Sequence, residues 1–95
     1  MIIKWMPEAL EDLSSLRAWI GRDSPQAAQR TALRVIEAVE TTLSDFPESG
    51  RPGRIAGTRE LVVVRTPYVV PYRLRDGVLE VLRVYHGARR WPDSF

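Results

Sequence analysis

The chain reads as an α+β fold. It has an N-terminal strand, an antiparallel two-helix hairpin and a three-stranded antiparallel meander, with the helices packed on one face of the sheet. Three observations predict this. Between Pro7 and Leu43 apolar residues recur at helical spacing, interrupted once around Gly21–Pro25. From Arg59 onward come three runs rich in β-branched and aromatic residues, separated by Thr66-Pro67 and Asp76-Gly77. The second break is a hairpin signal, because Gly77 accepts the positive φ of a tight primed turn. Ninety-five residues allow one hydrophobic core, so residues 1–95 are expected to form one domain.

In chain order, Ile2-Ile3-Lys4-Trp5 is a strand too short to stand alone, expected to add to the sheet. Pro7 suits the first position of a helix, where its missing N–H costs nothing. Glu8, Glu11 and Asp12 follow in turns where carboxylates complement the helix dipole. Met6 is then a poor N-cap, with no side-chain acceptor for the free amides. Leu10, Leu13, Leu16 and Ile20 form the apolar stripe, flanked by Ala9 and Trp19, and Gly21 is expected as the C-cap. Ser24-Pro25 supplies a good N-cap and first residue for the second helix. That helix carries Ala28, Ala32, Val35, Ile36, Val39 and Leu43 on one stripe, and the two alanines permit close approach of its partner. Phe46-Pro47 ends it, and Pro47 to Gly57 reads as a loop.

In the meander, Tyr68, Val70, Tyr72 and Leu74 alternate against Val69, Pro71, Arg73 and Arg75. Val78, Leu82, Val84 and His86 alternate against Leu79, Val81, Arg83 and Tyr85. One face is therefore expected to meet the helices, while the second mixes apolar residues with arginine and suits binding. Pro71 cannot donate to a ladder, yet it falls in the middle strand, so a bulge or an unpaired position is expected there.

The charge is uneven. Residues 1–48 hold five basic and eight acidic residues, net −3; residues 49–95 hold nine arginines, no lysine and four acids, net +5. Arginine's planar fork suits phosphate and carboxylate, so a polyanion or an acidic protein partner is indicated. The chain has no cysteine, which excludes disulfides and thiolate metal sites and fits a cytoplasmic protein. No apolar run approaches the ~18 residues of a membrane span, and the N-terminus lacks a signal-peptide pattern. Neither a phosphate-cradling glycine loop nor metal-ligand spacing occurs, so no cofactor or metal is expected.

His86 is the only histidine and stands beside Tyr85 and before Arg89-Arg90. An imidazole can act as general acid or base near neutral pH, and arginines beside it would suit cleavage of RNA. A lone histidine more often fixes a chain end. Tyr85 shares a face with Arg83 and is a candidate for stacking on a base, whereas Tyr68 and Tyr72 belong to the apolar face. Trp91-Pro92 is expected to dock the C-terminal tail.

Several stretches together resemble the RelE/ParE superfamily of bacterial type II toxin–antitoxin toxins. They are Pro7-Glu8-Ala9, Ser49-Gly50-Arg51-Pro52-Gly53-Arg54, Gly57-Thr58-Arg59-Glu60-Leu61, Tyr68-Val69-Val70-Pro71-Tyr72-Arg73 and Leu82-Arg83-Val84-Tyr85-His86-Gly87-Ala88-Arg89-Arg90-Trp91-Pro92. The resemblance spans essentially the whole chain and implies a growth-inhibiting toxin neutralised by a cognate antitoxin. The antitoxin's acidic, amphipathic C-terminal segment would fold on binding. Arg59, Arg73, Arg83 and Trp91 are candidates to hold it; Arg59, Arg65, Arg73, Arg83, Arg89 and Arg90 are candidates for the target or its phosphates. RelE-like members are ribosome-dependent endoribonucleases, and ParE-like members poison DNA gyrase. Basic residues of the ribonucleases correspond by motif position to Glu60, Val62, Val69 and Gly87 here, none of them a cation. The resemblance therefore favours ParE-like poisoning. The alternatives are a ribonuclease with His86 and Tyr85 as catalytic residues, and a non-toxic antitoxin-binding module.

Overall fold

The computed structural model describes residues 1–95. Strand β1 (Ile2–Trp5) leads into helices α1 (Pro7–Gly21) and α2 (Pro25–Glu37), and a π-helical segment (Ala38–Leu43) extends α2. Strands β2 (Arg51–Pro52), β3 (Arg59–Val62), β4 (Tyr68–Arg75), β5 (Val78–Val81) and β6 (Tyr85–His86) follow. The sheet order is β1-β5-β4-β3-β2, with β6 also pairing on β4. β3, β4 and β5 form the expected antiparallel meander. β1 joins β5 in parallel, which the long crossover through both helices permits.

Several local features follow from the chain. Met6 caps α1 without a side-chain bond, as its chemistry requires, and the Ser24 hydroxyl accepts from the Ala27 amide at the start of α2. α1 runs through Gly21, with Arg22 as its cap in place of the expected Gly21. A Cβ on Gly21 would lie 3.7 Å from that of Ala28, so this is where the helices close on each other. The buried stripe of α1 is Ala9 and Leu16 with Leu13 and Ile20 beside them; Leu10, expected in it, faces solvent. In α2 the stripe Ala32, Val35, Val39 and Leu43 is buried as expected. Its last steps of four outpace the 3.6-residue turn, and the wider π segment keeps Val39 and Leu43 over the sheet.

The core joins these helix residues to Leu61, Val63, Tyr68, Val70, Tyr72, Leu79, Val81 and Val84. Each fully buried aliphatic among them stabilises the fold by about 1.5–3 kcal/mol. The step from Val81 to Val84 corrects the alternation expected for the last run. Tyr72 opposes Val81 but Val69 opposes Tyr85, so residues 82–84 face only Val70 and Pro71. The extra residue is a bulge, and it turns Leu79 and Val81 to the same face as Val84. Pro71 sits opposite it, with its carbonyl accepting from the Leu82 amide. A proline is tolerated mid-sheet here because regular pairing is already broken.

The Pro47–Gly57 stretch is not all loop, since Arg51–Pro52 pairs with β3 as a short edge strand. Tyr72 organises its start, donating from Oη to the Pro47 carbonyl (2.8 Å) and accepting from the Gly50 amide (2.9 Å). Burial pushes the Tyr72 hydroxyl pKa up. A Cβ on Gly50 would lie 2.6 Å from the Tyr72 ring, so the turn requires glycine. At the β4–β5 hairpin Asp76 and Gly77 both have positive φ, 52° and 77°, as a primed turn demands.

Candidate basic binding face

The helices cover one side of the sheet; the other is covered by the C-terminal tail. After β6 the chain turns at Gly87, whose amide donates to the Pro67 carbonyl, and crosses this second face. Trp91 packs edge-on against Tyr85 with centroids 5.1 Å apart, and Phe95 reaches the same tyrosine at 6.2 Å. Arg54 lies 3.9 Å over the Trp91 ring, while Arg83 (4.7 Å) and Arg89 (4.2 Å) lie over the Tyr85 ring. Phe95 divides two hollows. One, about 250 Å³, is lined by Met6, Glu8, Arg73, Leu82 and Arg83; the other, about 380 Å³, includes Thr58, Leu74 and Arg75. The expected semi-apolar, arginine-bearing face is thus present, with Trp91 docking the tail across it.

The candidate arginines divide into committed and free groups. The Arg59 guanidinium donates to the carbonyls of Glu48 and Gly50 and closes the loop before β2. Arg73 donates to Glu80 across β4–β5 at 2.6 Å, a hydrogen bond that holds the Glu80 carboxyl below its ordinary range. Arg83 forks onto Asp12 of α1 at 2.7 and 2.9 Å, and this bond raises its own pKa. Arg65 stands apart on the tight β3–β4 turn at a positive φ of 64°, exposed and without an acid partner. Arg89 and Arg90 are exposed on the tail and likewise unpaired with acids. Among these candidates the free cations lie on the turn and tail, while Arg59, Arg73 and Arg83 serve internal bonds; Arg75, at the end of β4, is also exposed and unpaired with an acid.

Two further arginines gather on a residue that composition did not single out. Glu60, buried on β3, accepts from Arg51 Nε and Nη2 (3.1 and 2.9 Å) and from the Arg54 amide (2.8 Å). The signal in the local sequence that sets this glutamate apart from a solvated one is slight. A charge in a β-branched run, Arg-Glu-Leu-Val, with basic residues six to nine positions earlier, is the signal that was available.

His86 and Tyr85 are not brought together as a pair. His86 is exposed, packs edge-on against Tyr68 at 5.7 Å, and accepts at Nδ1 from the Ala88 amide (3.1 Å). The acceptor role places the neutral ring's proton on Nε2. The bond fixes the turn after β6, the ordinary structural role of a lone histidine. Tyr85 is 1% exposed, so in this arrangement it offers no ring face to a base. No group of three or more His, Asp or Glu side chains is placed to hold a metal ion.

Known proteins share both sequence and shape with this chain. The toxin RelE2 of Caulobacter vibrioides is 46% identical over 87 residues, 92% of this chain and 96% of that protein. A chain of the chromosomal ParDE toxin–antitoxin system of P. aeruginosa superposes with a TM-score of 0.82 at 26% identity, covering 90% of this chain and 95% of that one. The toxin–antitoxin complex RelBE2 of Mycobacterium tuberculosis contains a chain at TM-score 0.65 and 28% identity, covering 90% and 88%. The family described as the ParE toxin of the type II toxin–antitoxin system parDE matches residues 3–91. The chain belongs to that family, and it is a toxin of the RelE/ParE superfamily.

Proposed function

We propose that this toxin inhibits growth as ParE-like members do, by binding and poisoning DNA gyrase, with no catalysis of its own. The observation that carries the reading is the commitment of three of the candidate arginines. Arg59, Arg73 and Arg83 each hold an internal partner, and His86 has no acid or cation bonded to its ring. A ribonuclease needs a proton-transfer group and phosphate-binding cations converging on one scissile bond. Here the free candidates Arg65, Arg89 and Arg90 sit on a turn and the tail, and unpaired Arg75 at the far end of β4, a spread suited to docking a large surface. A cognate antitoxin is the natural partner, since the similar structures are toxin–antitoxin systems. An acidic, amphipathic segment would match the net +5 half and the hollows beside Phe95. The absence of any helix long and apolar enough to cross a membrane is compatible with action in the cytoplasm.

One observation favours the ribonuclease reading, namely that His86 is exposed with Nε2 unbonded in a relative of a protein named RelE2. Plasmid supercoiling by gyrase, titrated with the purified toxin beside a ribosome–messenger cleavage assay, separates the two. Lost supercoiling with trapped, cleaved DNA is expected, and His86→Ala should retain most growth inhibition. Cut messenger with unaffected gyrase, abolished by His86→Ala, would overturn the proposal. A folded protein inactive in both assays and harmless to cells would instead be an antitoxin-binding module.

A further inference from the structure

We infer that Glu60 is a positioning residue for the C-terminal basic tail, acting through Arg54 and Trp91. The inference rests on the reading above in taking Arg89 and Arg90 as target contacts. A carboxylate at 2% exposure demands compensating donors, and Glu60 receives them all from one short segment, Arg51 and Arg54. Its Oε2 takes the Arg54 amide at 2.8 Å and faces Arg54 Nε at 3.5 Å. The Arg54 backbone is thereby fixed and its guanidinium drawn toward Glu60, with the guanidinium carbon 3.9 Å from the Trp91 ring centroid.

The tail has little else to place it. No backbone hydrogen bond ties residues 90–95 to the rest of the chain; the last is from the Arg89 amide to the His86 carbonyl. Beneath the tail, Tyr85 Oη and Trp91 Nε1 are buried without partners, so hydrogen bonding does not hold the interface either. Ring and guanidinium contacts seat the tail, and among them Arg54 is the one that reaches Trp91 from outside β6 and the tail itself. Glu60 thus sets Arg54, Arg54 seats Trp91, and Trp91 orients the adjoining Arg89-Arg90.

Acrylamide quenching of Trp91, read in a Trp5→Phe/Trp19→Phe background, tests the chain of contacts. Arg54→Ala is expected to shift the seated–unseated equilibrium about five-fold, the equivalent of one partly desolvated cation–π contact, and so to raise quenching. Glu60→Gln should raise it too, and the double variant should be no more quenched than Arg54→Ala alone. Growth inhibition should fall in step. A merely structural Glu60 would lower thermal stability without moving Trp91 in the folded protein. Unchanged quenching in either single variant, or full additivity in the double, overturns the inference. If Glu60→Gln does not fold, Glu60→Asp reads the same arm by shortening the carboxylate, with unchanged quenching again refuting. Arg90→Ala should weaken toxicity with Trp91 still protected, because Arg90, unlike Arg89, makes none of the contacts that seat the tail. Full toxicity there would remove the target-contact reading while the quenching results decide the role of Glu60 separately.

Discussion

Asp12 ties α1 to the sheet, and the bulge explains why its removal should unsettle the fold. Residues 82–84 step out of the β4 ladder, so the Val84 amide, on a residue only 4% exposed, has no backbone acceptor. Asp12 Oδ2 supplies one from α1 at 3.0 Å, while the same carboxylate takes the fork of Arg83 at 2.7 and 2.9 Å. In Asp12→Ala the orphaned amide costs about 1–3 kcal/mol. The lost ion pair adds a smaller amount, roughly 0.5–1 kcal/mol, because Arg83 keeps access to water. A total of about 1.5–4 kcal/mol in a chain of this size corresponds to a fall in Tm of roughly 6–32 °C. Arg83→Met leaves the amide bonded, so it should cost about 1 kcal/mol or less. Thermal and urea unfolding of both variants and of the double variant would measure this. A cost below about 0.5 kcal/mol for Asp12→Ala, or equal costs for the two single variants, would refute the role given to the bulge amide.

Three other outcomes are expected. Tyr72→Phe removes the hydroxyl that joins Pro47 to Gly50 and should destabilise by about 1–3 kcal/mol in urea unfolding, because the Gly50 amide is left buried. The folded Glu80 carboxyl titrates below its ordinary 4.5, so the unfolded state binds more protons in that range. Its contribution is present above the ordinary value and lost as pH falls through the lowered one; Glu80→Gln should flatten the acid limb of Tm against pH, and an unchanged limb would contradict this. Deleting the chain from Ala88 onward removes Arg89, Arg90 and Trp91 and should weaken or abolish growth inhibition in a protein that still shows folded far-UV circular dichroism. Full toxicity of that truncation would exclude the tail from target binding.

The local chain determined much of this protein. The Ser24-Pro25 cap, the Asp76-Gly77 turn, the Ala32-Val35-Val39-Leu43 stripe and the burial of Tyr68 and Tyr72 all follow from propensity and period, which act within a few residues. The imbalance between the net −3 and net +5 halves was equally plain. Tertiary structure decided what depends on partners distant in sequence. The bulge at 82–84 turns Leu79 and Val81 inward because β5 and β6 must both pair with β4, a constraint that alternation alone does not express. Leu10 faces out because the sheet selects Ala9, Leu13 and Leu16 instead. Which arginines remain free was also settled in space: Arg83 meets Asp12 across 71 positions, Arg73 meets Glu80 across a hairpin, and Glu60 draws in Arg51 and Arg54. Composition counts charges, but a buried carboxylate or an unpaired amide fixes where a guanidinium must go, and those exist only once the sheet has formed.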